Sequence, residues 1–126
     1  MLIINHLNIS GPSGDIDKIA TAFMWGKPFA DLCPLWPREN DRHEGLLDAR
    51  RKQWGTTDEA VKPEIIDVFP TSASIEFMTV GNEPDRFIDF MARCYPQVSG
   101  VCQFHLSGQP HLKSGVIQIS GGKTFT

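Results

Sequence analysis

The side chains best suited to nucleophilic or metal chemistry here are three cysteines and four histidines. Cys33, Cys94 and Cys102 are an odd number at unpatterned spacings, which argues against the disulfide framework of a secreted scaffold. A zinc site would have to draw on Cys94, Cys102, His105 and His111. Cys102 and His105 stand an odd number of positions apart on an expected strand, so their side chains face opposite ways. Cys94 falls on the apolar stripe of an expected helix. These residues therefore read as structural thiols and surface imidazoles, and no metal and no cofactor is expected. His6 and His105 both sit on expected strands and are placed to approach across a sheet. As a pair they read as exposed or hydrogen-bonded histidines.

Gly121-Gly122-Lys123-Thr124 has the ending of a phosphate-binding loop. That loop needs a glycine where this chain has Ile117, and a helix after the lysine, where only Thr124, Phe125 and Thr126 remain. The motif is rejected. There is no Gly-x-Ser-x-Gly, His-Glu-x-x-His or Gly-x-Gly-x-x-Gly. No carboxylate pair stands out as an acid–base couple. No catalytic residue is assigned, and a non-enzymatic protein is expected.

The elements that carry these residues follow from periodicity. Leu2 to Ile9 reads as a strand with Ile3, Leu7 and Ile9 on one face. Ser10-Gly11-Pro12-Ser13-Gly14 breaks it. Asp15 to Phe23 reads as a helix, with Ile16, Ile19, Ala20 and Phe23 at helical spacing. Residues 24–45 read as irregular, punctuated by Pro28, Pro34 and Pro37 and anchored by Phe29, Leu32, Leu35 and Trp36. Leu46 to Trp54 reads as a short helix. Glu64 to Phe69 and Ser74 to Val80 read as strands joined by a hairpin between Asp67 and Ser74. Asn82 is the expected N-cap of a helix running to Tyr95, with Phe87, Phe90, Met91 and Cys94 as its apolar stripe. Val98 to Leu106 and Val116 to Ser120 complete the set of strands. The order gives an α+β chain, a single domain over residues 1–126, with the split β-α-β arrangement of ferredoxin-like sheets, an inserted loop and helix, and an extra C-terminal strand. The helices would cover one sheet face. The other would carry His6, Glu76, Met78, Gln103 and His105, a set without the aromatic platform used to stack RNA bases.

Length and composition suit one globular core: 126 residues, 40% hydrophobic and 21% charged. The opening residues lack the basic and long apolar regions of a secretory signal, and no stretch nears the ~18–20 apolar residues of a membrane span. A cytoplasmic protein of a bacterial host, with no membrane partner, is expected. Twelve basic against fifteen acidic residues make a weak general binder of nucleic acid. The charge is uneven: residues 58–89 hold eight acids and two bases, while residues 90–126 hold three bases and no acid. An acidic surface of Glu76, Glu83, Asp85 and Asp89 is therefore a candidate for a basic partner. Arg38, Arg42, Arg50, Arg51 and Lys52, beside Trp36 and Trp54, are the candidate nucleic-acid contacts. Glu39, Asp41, Glu44 and Asp48, interleaved with them, argue for a solvated face instead.

Gln53-Trp54-Gly55-Thr56, the strand ending Phe77-Met78-Thr79, Pro84 and Phe87 at a helix start, Tyr95-Pro96 at its end, and Asn5 on the first strand form a layout. It resembles the YubB-type ferredoxin-like proteins of plasmids and phages. The chain departs from that pattern at Thr57 and Asp58, where Lys and Trp are usual. It departs again at Val80-Gly81-Asn82-Glu83-Pro84, where a Trp and a double proline are usual. The resemblance implies a ferredoxin-like fold and a mobile-element setting, and it supplies no catalytic residues. Trp54-Gly55-Thr56 also has a purely structural reading: Gly55 allows a turn, Trp54 anchors it, and a threonine caps the next segment. Two functions are carried forward. One is an accessory protein that binds and blocks a host protein, such as a defence ribonucleoprotein complex, in the manner of an anti-CRISPR inhibitor. The other is a nucleic-acid-binding accessory module of a plasmid or phage. An exposed sheet edge would also allow a homodimer.

Overall fold

Residues 1–35 and 43–126 are described by a computed structural model. Trp36, Pro37, Arg38 and Arg42 lie outside the described residues. The described residues form a six-stranded antiparallel sheet and four helices, an α+β architecture.

The first strand, β1 (Leu2–Ser10), takes the expected alternation: Ile3, Asn5, Leu7 and Ile9 are buried, and the even-numbered residues face the other way. It is paired along both edges, with β3 (Ser72–Val80) on one side and β4 (Ser99–Leu106) on the other. β2 (Val61–Phe69) lies outside β3, and β5 (Ser114–Ser120) and β6 (Lys123–Phe125) lie outside β4. The sheet order is β2-β3-β1-β4-β5-β6. Helix α1 (Ser13–Met24) packs over β2 and β3, and α4 (Asp85–Cys94) packs over β5 and β6. Between them Phe23, Phe29, Phe77 and Phe87 form an aromatic core, with Phe29 and Phe87 at a centroid distance of 4.3 Å.

The stretch expected to be irregular contains α2 (Pro28–Leu32), followed after the undescribed residues by α3 (His43–Trp54). A partner remote in sequence holds α2. The Glu59 carboxylate accepts the N–H groups of Phe29 at 2.8 Å, Ala30 at 2.9 Å and Ala60 at 3.0 Å. It satisfies two first-turn donors that so short a helix cannot bond internally, and Pro28 at the first position needs no bond there. Phe29 is thereby fixed fully buried, and Leu32 and Leu35 pack at the edge of the core.

Three boundaries differ from expectation. The hairpin loop between Asp67 and Ser74 is only Pro70-Thr71, because Val68 and Phe69 continue the ladder opposite Ala73 and Ser72. Asn82 is not an N-cap. Helix α4 begins at Asp85 with Pro84 at the cap position, since the residue before a proline is pushed out of the helical region and Glu83 cannot start the helix. Instead Asn82 offers its carbonyl to the Thr79 hydroxyl at 2.6 Å. The buried stripe of α4 is Phe87, Ile88, Met91 and Ala92. Its centre is roughly 90° round the helix from Cys94, at ~100° per residue, so Cys94 is exposed rather than apolar-facing. The C-terminal residues, read as one strand, form two: Gly121-Gly122 turns the chain and Lys123 pairs with Ser120.

Gly100 shows how closely the sheet is built. It sits opposite Ile9 with φ of 155°, and a Cβ there would run into the Asn8 carbonyl oxygen and lie 2.9 Å from Ile9 Cα. The obstruction is backbone of the central strand and cannot swing aside. Gly100→Ala is expected to lower stability by about 2 kcal/mol or more. Denaturant unfolding checks this, and a change below about 0.5 kcal/mol would contradict the close approach of β4 to β1.

Candidate functional site

The even-numbered residues of β1 and their cross-strand partners form the sheet face turned away from α1 and α4. His6 stands opposite Glu76 on β3 and Gln103 on β4, and Ile4 stands opposite Met78 and His105. The structure therefore assembles the expected set of His6, Glu76, Met78, Gln103 and His105. The His6 and His105 rings are stacked, with centroids 5.8 Å apart and planes 15° from parallel. Glu76 Oε2 lies 3.5 Å from His6 Nδ1, and both side chains are 40% exposed. Phe69 and Phe125 also lie on this face, one at each edge of the sheet, opposite Ser72 and Gln118. They are separated by the width of the sheet and so do not make a stacking platform.

The four acids proposed as one surface do not share a face. Glu76 occupies an outward position of β3, while Glu83, Asp85 and Asp89 belong to α4 or the loop before it, on the helix side. Two of those three are already engaged. Glu83 pairs with Lys113 at 2.9 Å. Asp89 pairs with Arg93 at 3.2 Å and accepts a hydrogen bond from the Thr124 hydroxyl at 3.0 Å. Strand alternation and the position of the helix separate what sequence proximity had joined.

Of the basic set, Arg38 and Arg42 lie outside the described residues. Arg50 donates to the Thr57 carbonyl at 3.0 Å and stacks its guanidinium over Trp54 at 5.3 Å from the ring centre. Arg51 is exposed, and Lys52 pairs with Asp48 at 3.1 Å along α3. Trp54 is buried, packs edge-on against Phe29, and donates its indole N–H to the Cys33 carbonyl at 2.8 Å. It offers no stacking surface to a base. Its neighbours complete a structural turn. Gly55 has φ of 88°, and a Cβ there would strike the Asp85 carboxylate and lie 3.3 Å from Arg86 N. The buried Thr56 hydroxyl donates to the Asp58 carbonyl at 2.7 Å. Trp54-Gly55-Thr56 thus closes α3 against the start of α4.

Asn5 and Thr79, two further residues of the same layout, are buried together. Asn5 Nδ2 donates to Thr79 Oγ1 at 3.2 Å and to the Phe77 carbonyl at 3.3 Å. The Thr79 hydroxyl passes the chain of bonds on to the Asn82 carbonyl. Asn5, Trp54, Gly55, Thr56 and Thr79, five residues of that layout, are therefore packing residues around the β3–α4 connection.

A surface that the sequence pattern did not single out lies on β2. Ile66, Val68 and Phe69 are exposed, 47%, 49% and 60%, within four residues of an edge strand whose outer side has no partner among the described residues. Glu64 precedes them and Asp67 stands between Ile66 and Val68, both exposed. The signal was available in the run Ile65-Ile66-Asp67-Val68-Phe69, which is too apolar for a strand buried on one face only. The strand is irregular as far as Asp67: Lys62 has φ of 47°, Pro63 lacks a donor, and the register slips between Val61 and Glu64 and again between Ile65 and Asp67. Bulges and proline of this kind blunt an edge against indiscriminate pairing and leave only residues 67–69 in unbroken register with β3.

Among the described residues, no group of three or more His, Cys, Asp and Glu is placed to hold a metal ion, and no helix is long and apolar enough to cross a membrane. His111 is exposed on the β4–β5 loop, away from Cys102, which is buried on the helix-facing side. Comparison of the chain with protein-family models, curated proteins and solved structures gave no match.

The thiols differ sharply. Burial pushes Cys102 from 9.0 up to about 12. Burial, with the neighbouring Cys94 adding to it, pushes Cys33 from 9.0 up to about 11. Cys94 is exposed. One thiol per native chain is expected to react quickly with a thiol reagent at pH 8, and mass mapping should place it at Cys94. Fast labelling of all three would contradict the core packing. Because both buried thiols titrate higher when folded than unfolded, their contribution is complete below pH 9 and is lost as pH rises through about 11 and 12.

Proposed function

We propose that this chain is a non-enzymatic binding protein of a phage or other mobile element, which attaches to a host protein and blocks it through the β2 edge. The observation that carries the reading is the exposed trio Ile66, Val68 and Phe69 on an unpaired edge, flanked by Glu64 and Asp67. The three do not share one face, since Phe69 lies on the uncovered face and Val68 on the α1 side, so it is the strand edge itself, apolar on both sides, that a partner would meet. A flanking pair of carboxylates favours a partner with basic groups around an apolar centre. A regular edge segment can also add main-chain hydrogen bonds to a partner strand.

The fold reading within this proposal is ferredoxin-like. The strand order β2-β3-β1-β4, with α1 and α4 on one side, supports it, and β5 and β6 extend the sheet. The mobile-element setting rests on the resemblance to YubB-type proteins. A defence ribonucleoprotein complex remains the proposed class of target, because such complexes hold nucleic acid in basic grooves that an acidic, apolar edge can enter. The β2 edge is preferred to Glu76, Glu83, Asp85 and Asp89 as the contact surface, since those four are dispersed and Glu76, Glu83 and Asp89 each face a basic side chain of this chain.

The test is capture from bacterial lysate with the tagged chain, with and without nuclease, beside Ile66→Asp and Phe69→Ser variants. One stoichiometric host protein is expected to survive nuclease treatment. Each variant should reduce its capture about tenfold or more, the scale of a central interface residue. Both side chains are exposed, so thermal midpoints should stay within about 2 °C. Undiminished capture by both variants would remove the β2 edge from the proposal. Material lost entirely on nuclease treatment would replace it with nucleic-acid binding.

A further inference from the structure

His6, His105 and Glu76 share the centre of the uncovered sheet face, and their roles go beyond anything the β2 edge requires. We infer that the His6–His105 pair is a binding site for a late first-row divalent ion such as zinc or nickel, with Glu76 orienting His6. Imidazole nitrogen is the ligand such ions favour. The two rings already lie side by side on adjacent strands, with centroids 5.8 Å apart. The Glu76 carboxylate is 3.5 Å from His6 Nδ1, so Nε2 is the nitrogen left for an ion. A carboxylate on the far nitrogen of a ligating histidine fixes its orientation and raises its basicity.

The surroundings favour a cation. The residues directly paired with His6 are Glu76 and Gln103, and those paired with His105 are Ile4 and Ser114. None is basic. The backbone beneath is held firmly, since β1 and β4 are each paired on both edges. The rings are nearly parallel, so closing on one ion requires the side chains to turn toward each other. Both are partly exposed, which leaves room for that turn. Two imidazoles supply two ligands and water the remaining positions, one protein ligand fewer than an open zinc site ordinarily has, so the affinity expected is modest. Binding requires neutral imidazole, so protons compete with the ion.

The experiment titrates the full chain with Zn2+ by calorimetry and follows broadening of histidine ring protons on adding Ni2+. One ion per chain is expected, with His6 and His105 broadened together before His111. His6→Ala or His105→Ala should weaken binding at least tenfold, and Glu76→Gln about 10- to 100-fold, the range for an orienting carboxylate. His111→Ala should change nothing. If His6→Ala fails to fold by circular dichroism, His6→Gln supplies the same test. Unchanged affinity in the folded His6 and His105 variants would overturn the inference. Broadening confined to His111 or to the N-terminal amine would overturn it as well. The result is independent of partner capture by the β2 edge, so either proposal can fail alone.

Discussion

The double pairing of β1 is the constraint on which the rest of the molecule depends. Nine consecutive residues are fixed against β3, and eight of them against β4. Side chains on a strand alternate, so this single alignment decides which residues enter the core and which face outward. It sends Ile3, Leu7 and Ile9 into the aromatic core and His6 outward beside Glu76. It also sends Asn5 inward. Its amide nitrogen is met by Thr79 and the Phe77 carbonyl, which ties the sheet to the loop before α4, while its Oδ1 is buried without a hydrogen-bond partner among the described residues. A slip by one residue would expose the apolar set and bury the histidines. The backbone contact at Gly100 helps to prevent that slip.

Much of the fold was legible in the sequence because its main elements have clean periods. The alternation in β1 and β3 and the helical spacing of Ile16, Ile19, Ala20 and Phe23 each point to one element type. What was not legible depends on partners far away in the chain. Helix α2 is only five residues long, and its amides find Glu59 some thirty positions later. No local pattern announces such a cap. Lys123–Phe125 forms a strand because β5 offers it an edge, and three residues carry no period of their own. The misplaced cap at Asn82 was avoidable, since Pro84 restricts the residue before it.

The candidate sites divide in the same way. The outward set on the sheet followed from parity along the strands, and the structure brings its members together. The acidic surface did not, because residues close in sequence are parted in space across a strand-to-helix connection. Trp54, offered as a stacking residue, is instead a buried anchor, as its hydrogen bond to Cys33 and its contact with Phe29 require. The run Ile65-Ile66-Asp67-Val68-Phe69 marks an unusually apolar strand but not its place in the sheet, because an edge strand and a central strand carry similar apolar runs. Only the sheet order separates them. A chain that folds its motif residues into internal packing leaves its edges and its uncovered face as the surfaces available for function.

The most direct test of the proposed function is amide hydrogen exchange of the chain alone and bound to its captured host protein. The β2 amides of residues 64–69 on the outer edge should become protected on binding. Exchange in α4 and its preceding loop should stay the same. Protection centred on α4, with residues 64–69 exchanging as in the free chain, would contradict the account and return the contact surface to the helix side.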